Sequence, residues 1–432
     1  MLLMERKAMQ ALSSWKASRR RKPLILRGAR QTGKTWLMRE FGRTQFAKTA
    51  YISFDNNPVM SAVFNEDFNI SRILMAIGIE TGQKVTADDT LVVLDEIQEC
   101  PKAITALKYF CEQAPEFHIV AAGSLLGVAL HSGVSFPVGK VDSLDIYPMT
   151  FREFLRALGK DELAEVITTL DEQLLRSFRP LFADLLKKYC FVGGMPEAVA
   201  CFAQESDLHE VRQIQNGIVT MYEQDFGKHT PVEMIPRLRM AWNSIPVQLA
   251  RENKKFMYGA VKQGSRAKEF ELALAWLADC GLVHRVFRVS KPAMPLKAYS
   301  DLSAFKLFLS DVGLLGALSG IEARTILEGN KLFTEFKGAM AEQYVLHQLV
   351  SDTEYVPYYY VNPSTQTEID FIIQKEGGVV PIEVKAGENL TGKSLKAFCQ
   401  KFSPDMAVRT SMAGYMQQDW LTNLPLWAIA AL

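Results

Sequence analysis

Eight residues near the start of the chain, Gly28 to Thr35, match the pattern G-x-x-x-x-G-K-[ST]. They follow a predicted strand at 23–27 and precede a helical pattern that begins at Trp36. A loop between a buried strand and a helix is the context in which this pattern binds nucleotide phosphates. The segment therefore predicts an α/β fold with a nucleotide site.

The residues of this loop have separable roles. Glycines let backbone N–H groups approach phosphate oxygens, and the following helix adds its positive end. Lys34 is expected to contact the β- and γ-phosphates, and Thr35 to ligate Mg²⁺. The residues predicted to bind ATP in this loop are Gly28, Ala29, Arg30, Gln31, Thr32, Gly33, Lys34 and Thr35.

A pair of carboxylates follows the apolar run at 91–94. Asp95 is expected to hold Mg²⁺ through its coordination shell, and Glu96 to polarise the attacking water. Because the second carboxylate can activate water, the pair favours ATP hydrolysis over passive nucleotide binding.

Two further polar residues are candidates for the same site. Ser124 follows a predicted strand at 118–122 and either senses the γ-phosphate or caps a helix. Lys140 either stabilises phosphate charge or lies in a solvated loop.

The apolar patterns predict three regions. Short, unalternated runs at 50–54, 90–94 and 118–122 are typical of buried parallel strands, so residues 1–150 are predicted to form a P-loop domain. From residue 151 apolar residues recur at three- and four-residue spacing, which predicts a mostly helical region to residue 325. Within it, helices are expected at 174–189, 208–226, 237–249 and 266–279.

Two strand-like runs, at 282–289 and 304–309, follow the last of these helices. Helices closed by a β-hairpin favour a winged helix at about 235–310, which would either bind DNA or serve as a packing module. Residues 326–432 return to a mixed pattern and are predicted to form a third domain. Its expected elements are helices at 338–349 and 394–402 and strands at 355–361, 369–374, 379–384 and 426–429.

The charge of the chain is unevenly distributed. The whole sequence has a net charge of +1, yet residues 1–43 contain twelve Lys/Arg against two Asp/Glu. The run Arg19-Arg20-Arg21-Lys22 is either a patch for nucleic acid or another polyanion, or a solvated helix end near the nucleotide site.

Composition excludes several classes of protein. The six cysteines form no C-x-x-C pair, which argues against a zinc site and a disulfide framework. The apolar stretches are shorter than the roughly 20 residues that span a bilayer, so no membrane partner is expected. No signal peptide is recognised at the N-terminus, and the expected location is the cytoplasm.

Several motifs together resemble a known family. The segments RGARQTGKTWLMREFG, LDEIQECPKAITALKYFCE, GGMPEAV, FKLFLSDVGLL and VVPIEVKAG resemble prokaryotic AAA-type ATP-binding proteins that carry a C-terminal domain of unknown function. The resemblance covers essentially the whole chain. It implies an AAA-type ATPase domain, a helical and winged-helix middle and a restriction-endonuclease-like α/β end, with the nucleotide at Gly28 to Thr35, Asp95 and Glu96.

The tail carries carboxylates in a pattern typical of restriction-endonuclease-like nucleases. Asp370 lies on one predicted strand, and Glu383 and Lys385 share a face of the next. Two carboxylates can hold Mg²⁺, and a neighbouring lysine can assist the attacking water; Glu342 is a further candidate ligand. The alternatives are an ion-pair network or a nuclease fold that has lost activity.

These patterns predict an ATPase that couples its nucleotide state to a nucleic-acid-acting, possibly nuclease, domain. The alternative is a non-catalytic ATP-controlled switch that binds DNA or protein partners. The expected cofactors are ATP and Mg²⁺, and the expected partners are DNA, another protein or a second copy of the chain.

Overall fold

The computed structural model describes residues 5–123, 136–251, 254–327, 334–365, 367–388 and 392–432 of the 432-residue chain. These residues divide into two compact units. The N-terminal unit comprises residues 5–147 and 275–282, and the C-terminal unit comprises residues 148–274 and 283–432. Within the described ranges, no helix is long and apolar enough to cross a membrane.

The N-terminal unit is built on a parallel sheet. Its strands in the described part of the chain are β1 (Leu24–Arg27), β2 (Lys48–Ser53), β3 (Thr90–Asp95), β4 (His118–Ala122) and β5 (Asp142–Asp145). Their order is β2-β3-β4-β1-β5, and every pairing is parallel. All residues of β3 and β4 are buried, which confirms the expectation from their unalternated apolar sequences.

Helices cover both faces of this sheet. They are α1 (Ala8–Ala17), α2 (Lys34–Gln45), α3 (Pro58–Glu66), α4 (Ile70–Thr81) and α5 (Pro101–Gln113). Alternate strand residues enter two separate cores: Ile25 and Val92 pack with α3, α4 and α5, whereas Leu26 and Val93 pack with α1 and α2. The carboxyl ends of all five strands therefore meet at one edge, where the phosphate loop begins.

The C-terminal unit begins with a helical region, as expected. Its helices are α6 (Phe151–Ala157), α7 (Asp161–Thr169), α8 (Glu172–Ser177), α9 (Arg179–Val192), α10 (Pro196–Glu205), α11 (Leu208–His229), α12 (Ile235–Leu249), α13 (Tyr258–Val261), α14 (Ala267–Asp279), α15 (Val312–Leu318), α16 (Ala323–Leu327), α17 (Thr334–Asp352) and α18 (Lys393–Phe402). The last five residues of α14 belong to the N-terminal unit, so this helix runs from one unit into the other.

A mixed sheet completes this unit. Its strands are β6 (Val283–Val289), β7 (Ser300–Leu309), β8 (Tyr358–Val361), β9 (Glu368–Lys375), β10 (Gly378–Val384), β11 (Val408–Ser411), β12 (Met416–Gln418) and β13 (Leu421–Pro425). The order is β12-β13-β11-β10-β9-β8-β6-β7. Strands β8, β9 and β10 are antiparallel neighbours, and β10, β11 and β13 run parallel.

Two predicted elements differ in the structure. The single helix expected at 174–189 is divided into α8 and α9 at Phe178, because Pro180 is favoured only in the first turn of a new helix. The strand expected at 426–429 is instead a 3₁₀ helix, Leu426–Ala431, and the strand itself precedes it as β13.

The elements expected for a winged helix are present. Helices α12 and α14 are followed by the antiparallel pair β6 and β7. However, β6 also pairs in parallel with β8, so the hairpin is part of the same sheet as the strands of the tail. The winged helix and the domain boundaries at 150 and 325 remain predictions.

Candidate functional site

The phosphate loop connects β1 to α2 at the carboxyl edge of the N-terminal sheet. Gly28 has φ 145°, and a Cβ there would lie 2.1 Å from the carbonyl oxygen of Ile146. Gly33 has φ 88° and precedes the first residue of α2. Both positions therefore require glycine. Because these requirements arise within one short loop, the motif can be recognised in the sequence.

Lys34 is folded back onto this loop. Its Nζ donates to the carbonyl oxygens of Gly28 (2.9 Å) and Ala29 (2.7 Å), and the residue is 8% exposed. Burial lowers the pKa of Lys34 to about 8, although the neighbouring charges of Glu96 and Asp95 act to raise it. A phosphate would replace two neutral carbonyl acceptors with charged oxygens, which hold an ammonium group more strongly.

Asp95 is the centre of a hydrogen-bond network at the end of β3. Its Oδ2 accepts from Thr35 Oγ1 and from the Tyr51 hydroxyl, both at 2.7 Å, while Oδ1 accepts from the Glu96 backbone N–H at 3.0 Å. The structure thus brings together Thr35 and Asp95, the two residues expected to hold Mg²⁺. A hydroxyl and a carboxylate are oxygen ligands suited to this ion.

Glu96 begins the turn after β3 in the left-handed conformation, with φ 50°. Its Oε2 accepts from the Gln98 side chain, and its charge acts on Lys34. The carboxylate therefore lies beside the loop that would hold the phosphates. The site provides a cation, a hydroxyl and carboxylate pair suited to Mg²⁺, and a separate carboxylate, which together suit the polarisation of water near a γ-phosphate.

Two residues of this network were not predicted from the sequence. Tyr51 lies on β2, and burial and the hydrogen bond to Asp95 raise the pKa of its hydroxyl to about 12. Arg6 donates to the carbonyl oxygens of Thr32 (3.0 Å) and Tyr147 (2.7 Å), so it holds the back of the phosphate loop. Neither position belongs to a local motif, because each contact depends on chain pairing in three dimensions.

The two weaker candidates for the nucleotide site have different outcomes. Ser124 lies outside the described residues. Lys140 forms an ion pair with Glu112 at 2.9 Å and precedes β5, whose residue Asp142 pairs with Leu24 at the start of β1. Lys140 therefore lies near the amino ends of the strands, roughly 20 Å from the loop. At this distance Lys140 does not reach the phosphate loop of its own chain, contrary to the prediction that it stabilises phosphate charge.

The basic run at 19–22 also lies at the amino ends of the strands. Arg21 Nη2 donates to the carbonyl oxygen of Glu116, and the Lys22 backbone N–H donates to Asp142. Arg19 and Arg20 are exposed. Since the phosphate loop lies at the opposite edge, the positive charge of this run does not serve the nucleotide site, and binding of nucleic acid remains a prediction.

A second group of charged residues lies within the C-terminal unit. Among the described residues, the carboxylates of Glu342, Glu368 and Asp370 have oxygens within 4.8 Å of one another. Lys306, which is fully buried, forms ion pairs with Glu342 (3.2 Å) and Glu368. Lys254 pairs with the other carboxylate oxygen of Glu342.

The charges within this carboxylate cluster compensate one another. Burial would lower the pKa of Lys306, but Glu342, Glu368 and Asp370 raise it above its usual value. Burial would likewise raise the pKa of Glu342, but Lys306 and Lys254 lower it. Burial and the charge of Glu342 raise the pKa of Asp370 to about 7. Three carboxylates and two lysines therefore share this cluster, so most of its charge is balanced internally.

The structure corrects the predicted nuclease site, because Glu383 and Lys385 are not part of the carboxylate cluster. They form their own ion pair at 3.0 Å, and Glu383 is 4% exposed. Its charge acts on Cys399 of α18 and on Arg409 of β11. Of the ligands predicted for the nuclease site, Asp370 and Glu342 come together, and Glu368 joins them.

A β-bulge explains this separation. Tyr358 pairs with Ile372 and Tyr360 with Ile369, so Asp370 and Phe371 both lie opposite Tyr359. Phe371 is the partner of Ile382 on β10, and its ring lies 5.9 Å from Lys306 Nζ. Glu383 follows Ile382 and therefore points to the other face of the sheet.

Comparison with known families supports the N-terminal assignment. A family model described as an AAA domain matches residues 20–155. Two domains of unknown function, DUF8612 and DUF4143, match residues 183–325 and 337–429. The N-terminal region is therefore a P-loop domain of the AAA type, as predicted, and this supports ATP binding.

Similar proteins are known by sequence and by structure. The uncharacterized proteins Rv2008c of Mycobacterium tuberculosis and Mb2031c of Mycobacterium bovis are each 24% identical over 368 residues, which cover 84% of this chain and 70% of theirs. The Walker-type ATPase paby2304 of Pyrococcus abyssi is 14% identical with a TM-score of 0.47, covering 73% of this chain and 96% of that one. The ORC1 protein of Aeropyrum pernix, solved in complex with DNA, is 14% identical with a TM-score of 0.30, covering 73% and 90%. TM-scores below 0.5 do not establish a shared overall fold.

Proposed function

We propose that this chain is an Mg²⁺-dependent ATPase whose nucleotide state is transmitted to the C-terminal unit. The observation that carries hydrolysis is the pair Asp95 and Glu96 at the end of β3. Asp95 already accepts a hydrogen bond from Thr35 at 2.7 Å, whereas Glu96 lies near Lys34, where its carboxylate can polarise water. A binding site alone would need the first carboxylate but not the second.

Transmission is supported by the turn that follows α14. A Cβ on Gly281 would lie 3.1 Å from the backbone nitrogen of Ala29, so this turn is in close contact with the phosphate loop. The N-terminal half of α14 belongs to the C-terminal unit. A shift of the loop on nucleotide binding would therefore act on a helix that continues into that unit.

The proposed role of the C-terminal unit is to bind a partner under the control of ATP, not to cleave nucleic acid. Lys306 already forms ion pairs with Glu342 and Glu368, and Lys254 forms a second ion pair with Glu342. An internally neutralised, largely buried network is typical of a structural ion-pair cluster. This observation favours a nuclease-like tail without activity.

Steady-state ATP hydrolysis tests the proposal. The full-length protein should hydrolyse ATP with Mg²⁺ and lose activity with EDTA. Glu96→Gln should retain ATP affinity within about threefold and reduce kcat by about 100-fold or more, because only the water-polarising group is changed. Lys34→Ala should lose tight binding as well.

The matched control is Glu99→Gln, which removes an exposed carboxylate three residues further along the chain. Its kcat should equal that of the wild type. Equal turnover in the wild type and in Glu96→Gln would contradict the proposal, since hydrolysis would then not depend on this site.

A further inference from the structure

A cavity of about 640 Å³ lies at the open edge of the N-terminal sheet, outside the phosphate loop. Three elements line it: β2, the start of α3 and the end of α4. The hydrogen bond from Asn57 Nδ2 to Glu80 Oε1, at 3.3 Å, ties the two helices together at this point. The cavity is therefore a built groove with one wall made by an edge strand.

The backbone of β2 provides hydrogen-bonding groups to this groove. In the described part of the chain, β2 pairs only with β3, so its other side has no strand partner. The Thr49 carbonyl oxygen on that side accepts from Gln83 Nε2 at 3.3 Å. Residues two apart on a strand direct their backbone groups to the same edge, so those of Tyr51 and Ser53 also face the groove.

The groove carries negative charge. Asp55 and Glu80 are among its lining residues, and no lysine or arginine is. The neighbouring Arg39 is stacked on the Tyr51 ring, with its guanidinium 4.1 Å from the ring centroid. A lining of this charge favours a cationic ligand and disfavours nucleic acid.

An exposed apolar side chain also lines the groove, since Val59 of α3 is 63% exposed. Side chains of an extended peptide alternate between two directions. A peptide of alternating basic and apolar residues can therefore direct one set at the carboxylates and the other at Val59.

We propose that this groove binds an extended, basic segment of a protein partner, which adds a strand to the free edge of β2. We assign this occupant for two reasons. Basic side chains complement the charges of Asp55 and Glu80, and an extended backbone can pair with the edge of β2 that has no strand partner among the described residues. The groove also adjoins the nucleotide site, since Tyr51 lines it and donates its hydroxyl to Asp95 at 2.7 Å.

Peptide binding to the full-length protein tests the assignment without nucleotide, so its outcome does not depend on ATP hydrolysis. The probe is a fluorescein-labelled octapeptide of alternating lysine and valine, followed by fluorescence anisotropy. It should bind at least tenfold more tightly than the same peptide with glutamate in place of lysine. N-methylation of alternate amides should weaken binding at least tenfold, because strand pairing needs those N–H groups.

Two double variants locate the binding. Asp55→Asn with Glu80→Gln keeps the size of both side chains and should weaken the lysine peptide about tenfold. The matched control, Glu66→Gln with Glu116→Gln, removes two exposed carboxylates of the same unit outside the groove and should leave affinity unchanged.

Three results would overturn the proposal. They are equal binding of the lysine and glutamate peptides, equal loss of affinity in both double variants, and full binding of the N-methylated peptide. A fourth result, self-association of the protein that is lost in Asp55→Asn with Glu80→Gln, would assign the groove to a second copy and not to a different protein.

A regulatory consequence rests on the proposed ATPase function. Because Tyr51 contacts both the groove and Asp95, the lysine peptide should change the kcat for ATP at least twofold, and Tyr51→Phe should remove this effect while retaining peptide binding. An unchanged kcat with bound peptide would refute the regulatory link. Absence of any turnover would refute the ATPase proposal but not the peptide site.

Discussion

Asp95 shows how the chain itself orders the residues that are expected to hold a metal ion. One of its oxygens accepts from both Thr35 and Tyr51. If Thr35 turns to a metal ion, Tyr51 still restrains the carboxylate, so Asp95 does not have to be ordered again when the ion binds. The loop lysine is held in a similar way by Gly28 and Ala29.

The lowered pKa of Lys34 predicts a pH dependence of ATP binding. With a pKa of about 8 in the free protein, Lys34 loses its proton as pH rises from 7 to 9, whereas bound phosphates favour the protonated form. Binding therefore takes up a proton in this range, and affinity should be about tenfold lower at pH 9 than at pH 7.

Titration calorimetry in buffers of equal ionic strength measures this effect. The proton uptake follows from the dependence of the observed enthalpy on the ionisation enthalpy of the buffer. Equal affinities at pH 7 and pH 9 with no proton uptake would show that Lys34 is fully charged before ATP binds.

The sequence predicted those residues of the nucleotide site that act within one short segment, and missed those that reach the site from elsewhere in the fold. Gly28 to Thr35 act through one loop, and Asp95 and Glu96 through the end of one strand, so their spacing in the sequence carries the signal. Tyr51 reaches Asp95 only because β2 pairs with β3. Arg6 reaches the loop across 26 positions in sequence, and no local pattern marks such a contact.

Strand β9 shows the limit of alternation as a guide to a site. A regular strand would place Asp370 and Phe371 on opposite faces, and a regular pairing would align Asp370 with Glu383. The bulge opposite Tyr359 turns both Asp370 and Phe371 toward Lys306. Most helices and strands of the tail were predicted from the sequence. The sheet face on which the Asp370 side chain lies was not predicted, because the bulge has no signature in this sequence.

The carboxylate cluster formed by this bulge predicts a pH-dependent stability. Asp370 has a pKa of about 7 in the folded protein against about 3.9 in an unfolded chain. The folded state therefore holds the additional proton between these values, and the free energy of unfolding should fall as pH rises from about 4 to about 7. The contribution of Asp370 is constant above pH 7.

Asp370→Asn should remove this contribution while keeping an oxygen to accept from the Val384 backbone N–H, which Asp370 Oδ2 meets at 2.7 Å. Relative to the wild type, the variant should gain roughly 2–3 kcal/mol of unfolding free energy at pH 8 compared with pH 5. Urea unfolding at both pH values measures the difference. A variant whose relative stability is the same at pH 5 and pH 8 would show that Asp370 is ionised throughout.

Motifs that suggested a family also prove to be parts of the C-terminal framework. Asp311, fully buried before α15, accepts from the backbone N–H groups of Gly194 (2.6 Å) and Leu314 (2.9 Å). A Cβ on Gly193 would lie 2.2 Å from the Asp311 carboxylate. The segments GGMP and SDVGL therefore pack against each other. The close contact explains the glycine in the first segment, and the hydrogen bonds explain the aspartate in the second.

Helix α14 has residues in both units of the chain. The helix is continuous from Ala267 to Asp279, yet its last residues and the turn at Gly281 belong with the phosphate loop. A nucleotide-dependent change of the loop therefore has a covalent route to the C-terminal unit. The sequence predicted both the loop and the helix, but not that the turn after one packs on the other.

Amide hydrogen exchange with and without Mg²⁺·ATP, measured by mass spectrometry, tests this transmission most directly. The Glu96→Gln protein keeps ATP bound during the experiment, and Gly281→Ala in the same background forces a Cβ toward Ala29 at a residue with φ 71°. ATP should change exchange in the phosphate loop of both proteins. In the protein with Gly281 it should also change exchange in 267–274 and in further segments of the C-terminal unit, and Gly281→Ala should reduce this second effect at least severalfold. Changes confined to residues 5–147 and 275–282 in the protein with Gly281 would contradict transmission.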